Sequence, residues 1–195
     1  MKRLLLMLIL VTSIATPVNA KESPEVILRS LPAQIKTFIA EDPLSYDDKR
    51  LGASIGYNDP GGIAMTVYLY DLGGGDVEDG VGSEMIKTSK EQAIEDIRQS
   101  ESMGYYSGVK IISDNQTIFD LGEGKSLKVL FISLSYILNN PLISNQQQVA
   151  SDLYLVGLKG YICKIRVSRP AVKEREQEGR IQEALATLLS VLHKR

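Results

Sequence analysis

A period-two alternation of apolar with polar or small residues, repeated in two pairs of segments, most restricts the fold of this chain. Residues 51–57 alternate in this way, and residues 63–72 repeat the pattern after the turn letters DPGG. Proline presets one backbone dihedral of such a turn and glycine accepts positive values, so these segments predict a β-hairpin. A second hairpin is predicted for residues 148–158 and 161–168.

Three more strands are predicted between the two hairpins. Residues 109–113 and 117–121 read as short strands around a polar turn. Residues 127–138 are apolar on both faces apart from one lysine and two serines. This composition is typical of a central strand that is covered on two sides.

Helices are predicted on either side of these strands. Thr88 and Glu91 match the capping box, in which a hydroxyl and a carboxylate satisfy each other's free backbone donors, so a helix is predicted over about residues 89–103. A final helix is predicted to begin at Pro170. Its buried stripe comprises Ile181, Leu185, Leu188, Leu189 and Leu192.

The order of elements predicts an α+β domain, an antiparallel sheet of five to six strands with helices packed on it. The domain is expected to span residues 21–195, and residues 21–45 to form a loosely helical N-terminal arm with a second short helix over 33–39. Cys163 is the only cysteine, so the chain has no internal disulfide and depends on its hydrophobic core.

The hairpin GASIGYNDPGGIAMTVYLYDLGGG, the later YLVGLKGYICKIRVSRP and the final helix resemble a group of uncharacterised exported bacterial proteins. The element order is similar to the Mog1/PsbP-like α/β/α sandwich, whose members include photosystem II extrinsic subunits and a Ran-binding protein. The resemblance spans about residues 51–192. It implies helices on both faces of the sheet and a binding or assembly role rather than catalysis, and no functional residue is carried over from it.

The first twenty residues predict the destination of the chain. Lys2 and Arg3 precede an apolar or neutral run over residues 4–14, and small residues lead to Ala20. The run is about half as long as a membrane-spanning helix, which needs roughly 20 apolar residues. A signal peptide cleaved after Ala20 is therefore predicted, with a periplasmic or secreted product and no stable membrane anchor after cleavage.

Charge and composition argue against several functional classes. Without the leader, 20 basic residues face 24 acidic ones, a net charge of −4, and the basic residues are scattered, which argues against a nucleic-acid partner. The only histidine, His193, lies beside the C-terminus, where it complements a helix dipole rather than completing a catalytic triad. One cysteine and one histidine do not complete a zinc site. Residues 122–126 resemble a phosphate-binding loop, but they are predicted to lie between two strands, whereas such a loop must open a helix. No cofactor and no metal are predicted.

Tyrosines on the predicted strands are the most suggestive candidates for a binding surface. Their rings are apolar and their tips polar, which suits recognition, but packing of the rings under a covering helix is the favoured explanation. If the faces of the strands coincide, the sheet shows an aromatic surface with one carboxylate and one arginine. The candidate binding residues are Tyr68, Tyr70, Asp71, Tyr136, Asp152, Tyr154 and Arg166.

Three functional hypotheses follow. The leading one is an exported, non-enzymatic binding or accessory domain that engages a protein partner or a small ligand through the tyrosine-bearing side of the sheet or the glycine-rich acidic loop, residues 73–85. A second is an enzyme that uses Asp71, Asp76 or Asp152 as acid or base. A third is an envelope protein that binds lipid or another hydrophobic molecule between sheet and helix. Whether residues 73–85 bind a cation is left open.

Overall fold

The computed structural model describes residues 21–139, 147–171 and 175–194, so the predicted signal peptide lies outside the described residues. In this part of the chain nine antiparallel strands form one sheet, flanked by three α-helices and a short 3-10 turn (Lys49–Leu51). The helices are α1 (Pro24–Arg29), α2 (Glu84–Ser102) and α3 (Arg175–Lys194). The strands are β1 (Gln34–Ile35), β2 (Phe38–Ala40), β3 (Leu44–Ser45), β4 (Ala53–Asn58), β5 (Ala64–Tyr70), β6 (Tyr106–Gly122), β7 (Lys125–Leu138), β8 (Gln147–Leu158) and β9 (Tyr161–Pro170).

The strands lie in the order β1-β2-β4-β5-β9-β8-β7-β6, and β3 pairs separately with β4. The predicted α+β class with an antiparallel sheet is confirmed, and both predicted hairpins form, as β4–β5 and β8–β9. The sheet has more strands among the described residues than the five to six that were predicted. The additional strands β1, β2 and β3 come from the N-terminal arm and have only two or three residues each, which is too short for alternation to reveal them.

The N-terminal arm is therefore mostly extended rather than loosely helical. Only α1 is helical, and Ser23 caps it by accepting a hydrogen bond from the amide of Val26. The second helix predicted over 33–39 is wrong, because these residues form the hairpin β1–β2, which turns at Lys36 with a φ of 56°. Phe38 is fully buried in the core and anchors this hairpin to the sheet.

Helices cover both faces of the sheet. On one face, α1 and α3 pack on alternate residues of the central strands, among them Val67 and Ile165. All five residues of the predicted α3 stripe are buried there. On the opposite face, α2 packs through Ala93 and Ile97 on residues such as Leu155. The layers are therefore helix, sheet and helix, and membership of the Mog1/PsbP-like group stays a prediction.

Helix α2 begins earlier than predicted. Ser83 is its cap, and the Ser83 hydroxyl accepts a hydrogen bond of 3.3 Å from the amide of Ile86. Ile86 is fully buried, so its packing stabilises the additional N-terminal turn, and the Thr88 capping box lies inside the helix. The helix ends at Ser102 with Met103 as its C-cap, and Gly104, the predicted stop, follows with a φ of 80°.

The long hairpin β6–β7 stands where two short strands and a central strand were predicted. β6 is an edge strand of 17 residues. Its register with β7 shifts at three places, within residues 107–110, 111–113 and 120–122. Three isoleucines are exposed along it: Ile111, Ile112 and Ile118. The predicted strand 127–138 lies in β7, one strand in from this edge rather than at the centre.

The C-terminal part also differs in one boundary. Pro170 ends β9 instead of beginning the last helix, and the described part of that helix begins at Arg175. Cys163 on β9 is a free, buried thiol, and His193 lies in the last turn of α3. Among the described residues, no helix has the length and apolar character needed to span a membrane.

Candidate functional site

The face of the sheet that lies under α2 carries an unusual set of tyrosines and cations. Along β5, Met65, Val67 and Leu69 face α3, so alternation turns Tyr68 and Tyr70 toward α2. Sheet register places Tyr68 opposite Lys164 of β9 and Thr66 opposite Arg166. We call the side chains of Tyr68, Tyr70, Tyr136, Lys164 and Arg166 the tyrosine–cation face.

A half-open cavity of about 270 Å³ lies between this face, α2 and the segment around the 3-10 turn. Apolar and aromatic side chains form most of its wall, with a few polar groups from α2 and one cation from β9. The lining residues are Tyr46, Leu51, Tyr68, Tyr70, Leu72, Ser89, Gln92, Ala93, Asp96 and Lys164. A mostly apolar hollow with few polar groups is the usual form of a small-molecule site.

Lys164 supplies the cation of this cavity. Its Nζ lies 4.7 Å from the ring centroid of Tyr68 and 5.4 Å from that of Tyr70. Within the described part of the chain, the ammonium makes neither a hydrogen bond nor an ion pair. Burial lowers the pKa of Lys164, and the Asp96 carboxylate opposes this shift from beyond ion-pair distance. The charge thus lies in a partly desolvated place, and within the described ranges its close partners are the two aromatic rings.

Tyr70 forms the inner wall of the cavity. Its Oη shares a hydrogen bond with Oγ of Ser89 on α2, which ties strand and helix together. Burial raises the pKa of Tyr70 to about 12, so the phenol is neutral near pH 7. Tyr70 is 8% exposed and also packs against Ile86 and Ile162, and it therefore belongs to the core as much as to the site.

Tyr46 and Tyr68 form the outer wall. The hydroxyl of Tyr46 is 2.9 Å from Oγ of Ser54 on β4, and this hydrogen bond holds the segment after β3 against the sheet. Ser54 lies opposite Tyr68 in the sheet, so this bond places Tyr46 beside Tyr68 in the lining of the cavity. Tyr68 is partly exposed there, and burial raises its pKa.

Arg166 lies two residues from Lys164 and organises the neighbouring part of the face. Its Nη2 donates to Tyr136 Oη at 2.9 Å, and its Nε donates to Ser151 Oγ at 3.1 Å. The ring centroids of Tyr136 and Tyr106 lie 4.3 Å apart, and the ring planes are tilted by 31°. No carboxylate of the described residues lies within ion-pair distance of Arg166, so this face holds two cations without an acidic partner.

Two candidate residues lie on the other face, so the predicted combination with one carboxylate does not form. Tyr154 packs under α3 among Phe119 and Phe131, with ring centroids 5.8 Å and 5.1 Å away. Asp152 is buried beside Arg169, whose Nη1 lies 2.5 Å from the Asp152 carboxylate. Both residues therefore contribute to the packing beneath α3 and not to the tyrosine–cation face.

Asp71 follows β5 and lies outside the tyrosine cavity. Its carboxylate is 3.4 Å from the ammonium of Lys21, which also lies 3.4 Å from Asp76 and 3.6 Å from the ring centroid of Tyr161. Asp71 and Asp76 thus share one cation, with Asp76 84% exposed, while Asp152 is buried in a separate ion pair with Arg169. The three carboxylates of the enzyme hypothesis do not converge in one pocket.

The glycine-rich acidic loop is joined to the β8–β9 turn by backbone hydrogen bonds. Gly80 and Gly157 exchange two bonds of 2.9 and 2.7 Å, and the amide of Val77 donates to the carbonyl of Gly160. A Cβ at Gly157 would lie 1.9 Å from the carbonyl oxygen of Glu78, so this close approach requires glycine. Among the described residues, no three possible ligands are grouped as a metal site requires.

The sequence interpretation missed Lys164, Tyr46 and Asp96. Lys164 alternates with the buried Cys163 and Ile165, so the same alternation that placed Cys163 in the core indicates a cation on the opposite face. Tyr46 and Asp96 reach the site from an irregular segment and from α2, and no periodicity relates them to β5. No known protein-family model matches the chain, and no curated protein matches it in sequence.

Proposed function

We propose that this chain is an exported, non-enzymatic binding domain that takes a small ligand into the cavity between β5, β9 and α2. The observation that carries the proposal is the ammonium of Lys164, which forms no ion pair with any described residue, at a hollow lined by three tyrosines. Holding a charge in such a partly buried place costs free energy unless a group of opposite charge compensates for it. The leader supports export, and the resemblance to Mog1/PsbP-like sandwiches supports a binding role.

The cavity favours a small ligand over the broad protein contact that the sequence also allowed. A stable protein–protein interface buries about 800 Å² on each partner, and it usually centres on aromatic anchors that protrude or fill pockets. Here the tyrosines line a recess, and Tyr70 is bonded to α2 rather than free to engage a partner. The third hypothesis, a hydrophobic ligand between sheet and helix, therefore refers to the same cavity and differs only in the chemistry of the ligand.

Native mass spectrometry tests the proposal on protein purified from its own cell envelope. We expect the purified protein to retain a small molecule, and Tyr68→Ala to lose at least half of that retained fraction, because the ring lines the cavity. Tyr105→Ala is the matched control, since Tyr105 is 61% exposed and does not line the cavity. An equal loss in both variants, or no retained molecule in the wild type, would contradict the proposal.

A further inference from the structure

We infer that the ligand of the cavity is a small organic carboxylate, whose anionic group lies at the Lys164 ammonium and whose apolar body contacts the tyrosine rings. This inference rests on the proposed function and specifies the chemistry of that site. It is carried by the charges that face the cavity, the character of its wall and its volume.

The charges that face the cavity favour an anion. Lys164 is the one cation among the lining residues, and it has no ion pair within the described chain. The one lining carboxylate, Asp96, lies on the exposed side of α2 and already accepts a hydrogen bond of 2.7 Å from Nε2 of Gln92. Arg166, two residues along β9, adds a second positive charge without an acidic partner. An incoming cation would meet this positive field, whereas a carboxylate satisfies it.

The wall of the cavity favours an apolar body attached to that anion. Tyr68 and Tyr70 offer ring surface on the sheet side, and Leu51, Leu72 and Ala93 close the recess. Inorganic anions such as phosphate would bury no apolar area against these side chains. An aromatic or short aliphatic body gains about 25 cal/mol for each Å² of apolar surface that it removes from water.

The volume limits the size of the ligand. At about 270 Å³ the cavity is at or below the lower end of the usual range for drug-sized ligands, roughly 300–1,000 Å³. A body of one ring with a short chain fits this volume, while a two-chain lipid would leave most of its length in water. The inference therefore commits to a small carboxylate and not to a membrane lipid.

A matched pair of probes separates the charge from the apolar contact. We expect 4-phenylbutanoate to bind the purified protein about tenfold more tightly than 4-phenylbutan-1-ol, as charge-assisted hydrogen bonds of this kind warrant. Dissociation constants come from two-dimensional NMR titration, with shifts expected at Tyr68 and Lys164. In Lys164→Met, which keeps the length of the side chain, the two probes should bind with affinities equal within about twofold, since the charge preference of the site is lost.

Lys125→Met is the control, because Lys125 lies exposed at the β6–β7 turn and does not line the cavity. It should keep the tenfold preference. Equal binding of both probes to the wild type would overturn the carboxylate assignment and leave the cavity as a neutral ligand site. Binding of neither probe, or shifts outside the cavity, would overturn the assignment and remove support from the proposed function as well. Retention of the preference in Lys164→Met would overturn the role of Lys164.

Discussion

At the residue scale, the tyrosines divide into those that hold the fold and those that line the cavity. Tyr57 is completely buried in the core, and its hydroxyl donates to the carbonyl of Pro32 at 2.8 Å. Tyr154 is part of the aromatic cluster with Phe119 and Phe131. Tyr68, in contrast, is partly exposed beside Lys164. The same residue type therefore has different roles on the two faces of the sheet.

Tyr57→Phe tests the structural role through its pH dependence. Burial raises the pKa of Tyr57 from 10.0 to about 12, so the folded state keeps this proton to higher pH than the unfolded chain. The stabilisation that this pKa difference contributes is fully present below about pH 10 and is lost as the pH rises through about 12. We expect Tyr57→Phe to lose about 1 kcal/mol at about pH 8 with its hydrogen bond, and to lose less further stability than the wild type at about pH 11.

Urea unfolding of both proteins at these two pH values provides the measurement. Tyr105→Phe serves as control, since Tyr105 is mostly exposed and should follow the wild type at each pH. Identical alkaline losses in wild type and Tyr57→Phe would show that Tyr57 does not contribute to the pH dependence.

The limits of prediction at this scale follow from sheet register. Alternation within β5 was sufficient to place Tyr68 and Tyr70 on one face. It did not relate β5 to β8, because a shift of one residue between strands exchanges the two faces. Tyr154 and Asp152 were therefore grouped with residues from which the sheet separates them. The buried state of Cys163 was predictable, since its own strand alternates clearly.

At the element scale, the start of α2 offers a direct test. Replacing the cap residue in Ser83→Ala should cost about 1 kcal/mol of the free energy of unfolding, because the amide of Ile86 loses its acceptor. Thr88→Ala is the matched control, since Thr88 is exposed within the helix, where alanine is the better helix former. Chemical denaturation of both variants measures the difference. A larger loss in Thr88→Ala than in Ser83→Ala would place the cap where the sequence motif predicted it.

The elements that were mispredicted share a physical cause. Two hydroxyl residues, Ser83 and Thr88, precede helical sequence, and only the burial of Ile86 decides between them. The strands of the N-terminal arm have too few residues for a period to be visible, and they form because β4 supplies a partner edge. Tertiary contacts therefore decide these boundaries, while hairpins with strong turn residues were predictable.

At the scale of the whole molecule, Cys163 reports on the opening of the sheet. The thiol is 1% exposed, and burial raises its pKa to about 12, so it reacts only when the structure opens. Leu188→Ala removes a fully buried side chain of α3 and should cost about 2–5 kcal/mol, which raises the rate of thiol labelling at least about 30-fold where reclosing is fast. Labelling with a disulfide reagent near pH 8 measures this rate.

Leu44→Ala provides the comparison, because Leu44 is 58% exposed on β3. In this variant the rate of Cys163 labelling should stay within about twofold of the wild-type rate. A rate unchanged by Leu188→Ala would mean that Cys163 is reached by a local motion that leaves α3 in place.

The class of the fold was predictable from the sequence, because alternating segments and one amphipathic helix determine it. The site was predictable only in part. Its tyrosines follow from β5, but the cavity depends on α2 and on the segment of Tyr46, which come together only in the folded chain.

The outer strand β6 carries exposed isoleucines beside a backbone edge that no other strand of the described residues pairs with. Such an edge favours the addition of strands from neighbouring molecules. The three register breaks of β6, around residues 107–110, 111–113 and 120–122, bend that edge and disrupt the even spacing of backbone amides that a docking strand requires. Crowded copies of this chain are thereby discouraged from growing into fibrils by side-to-side addition.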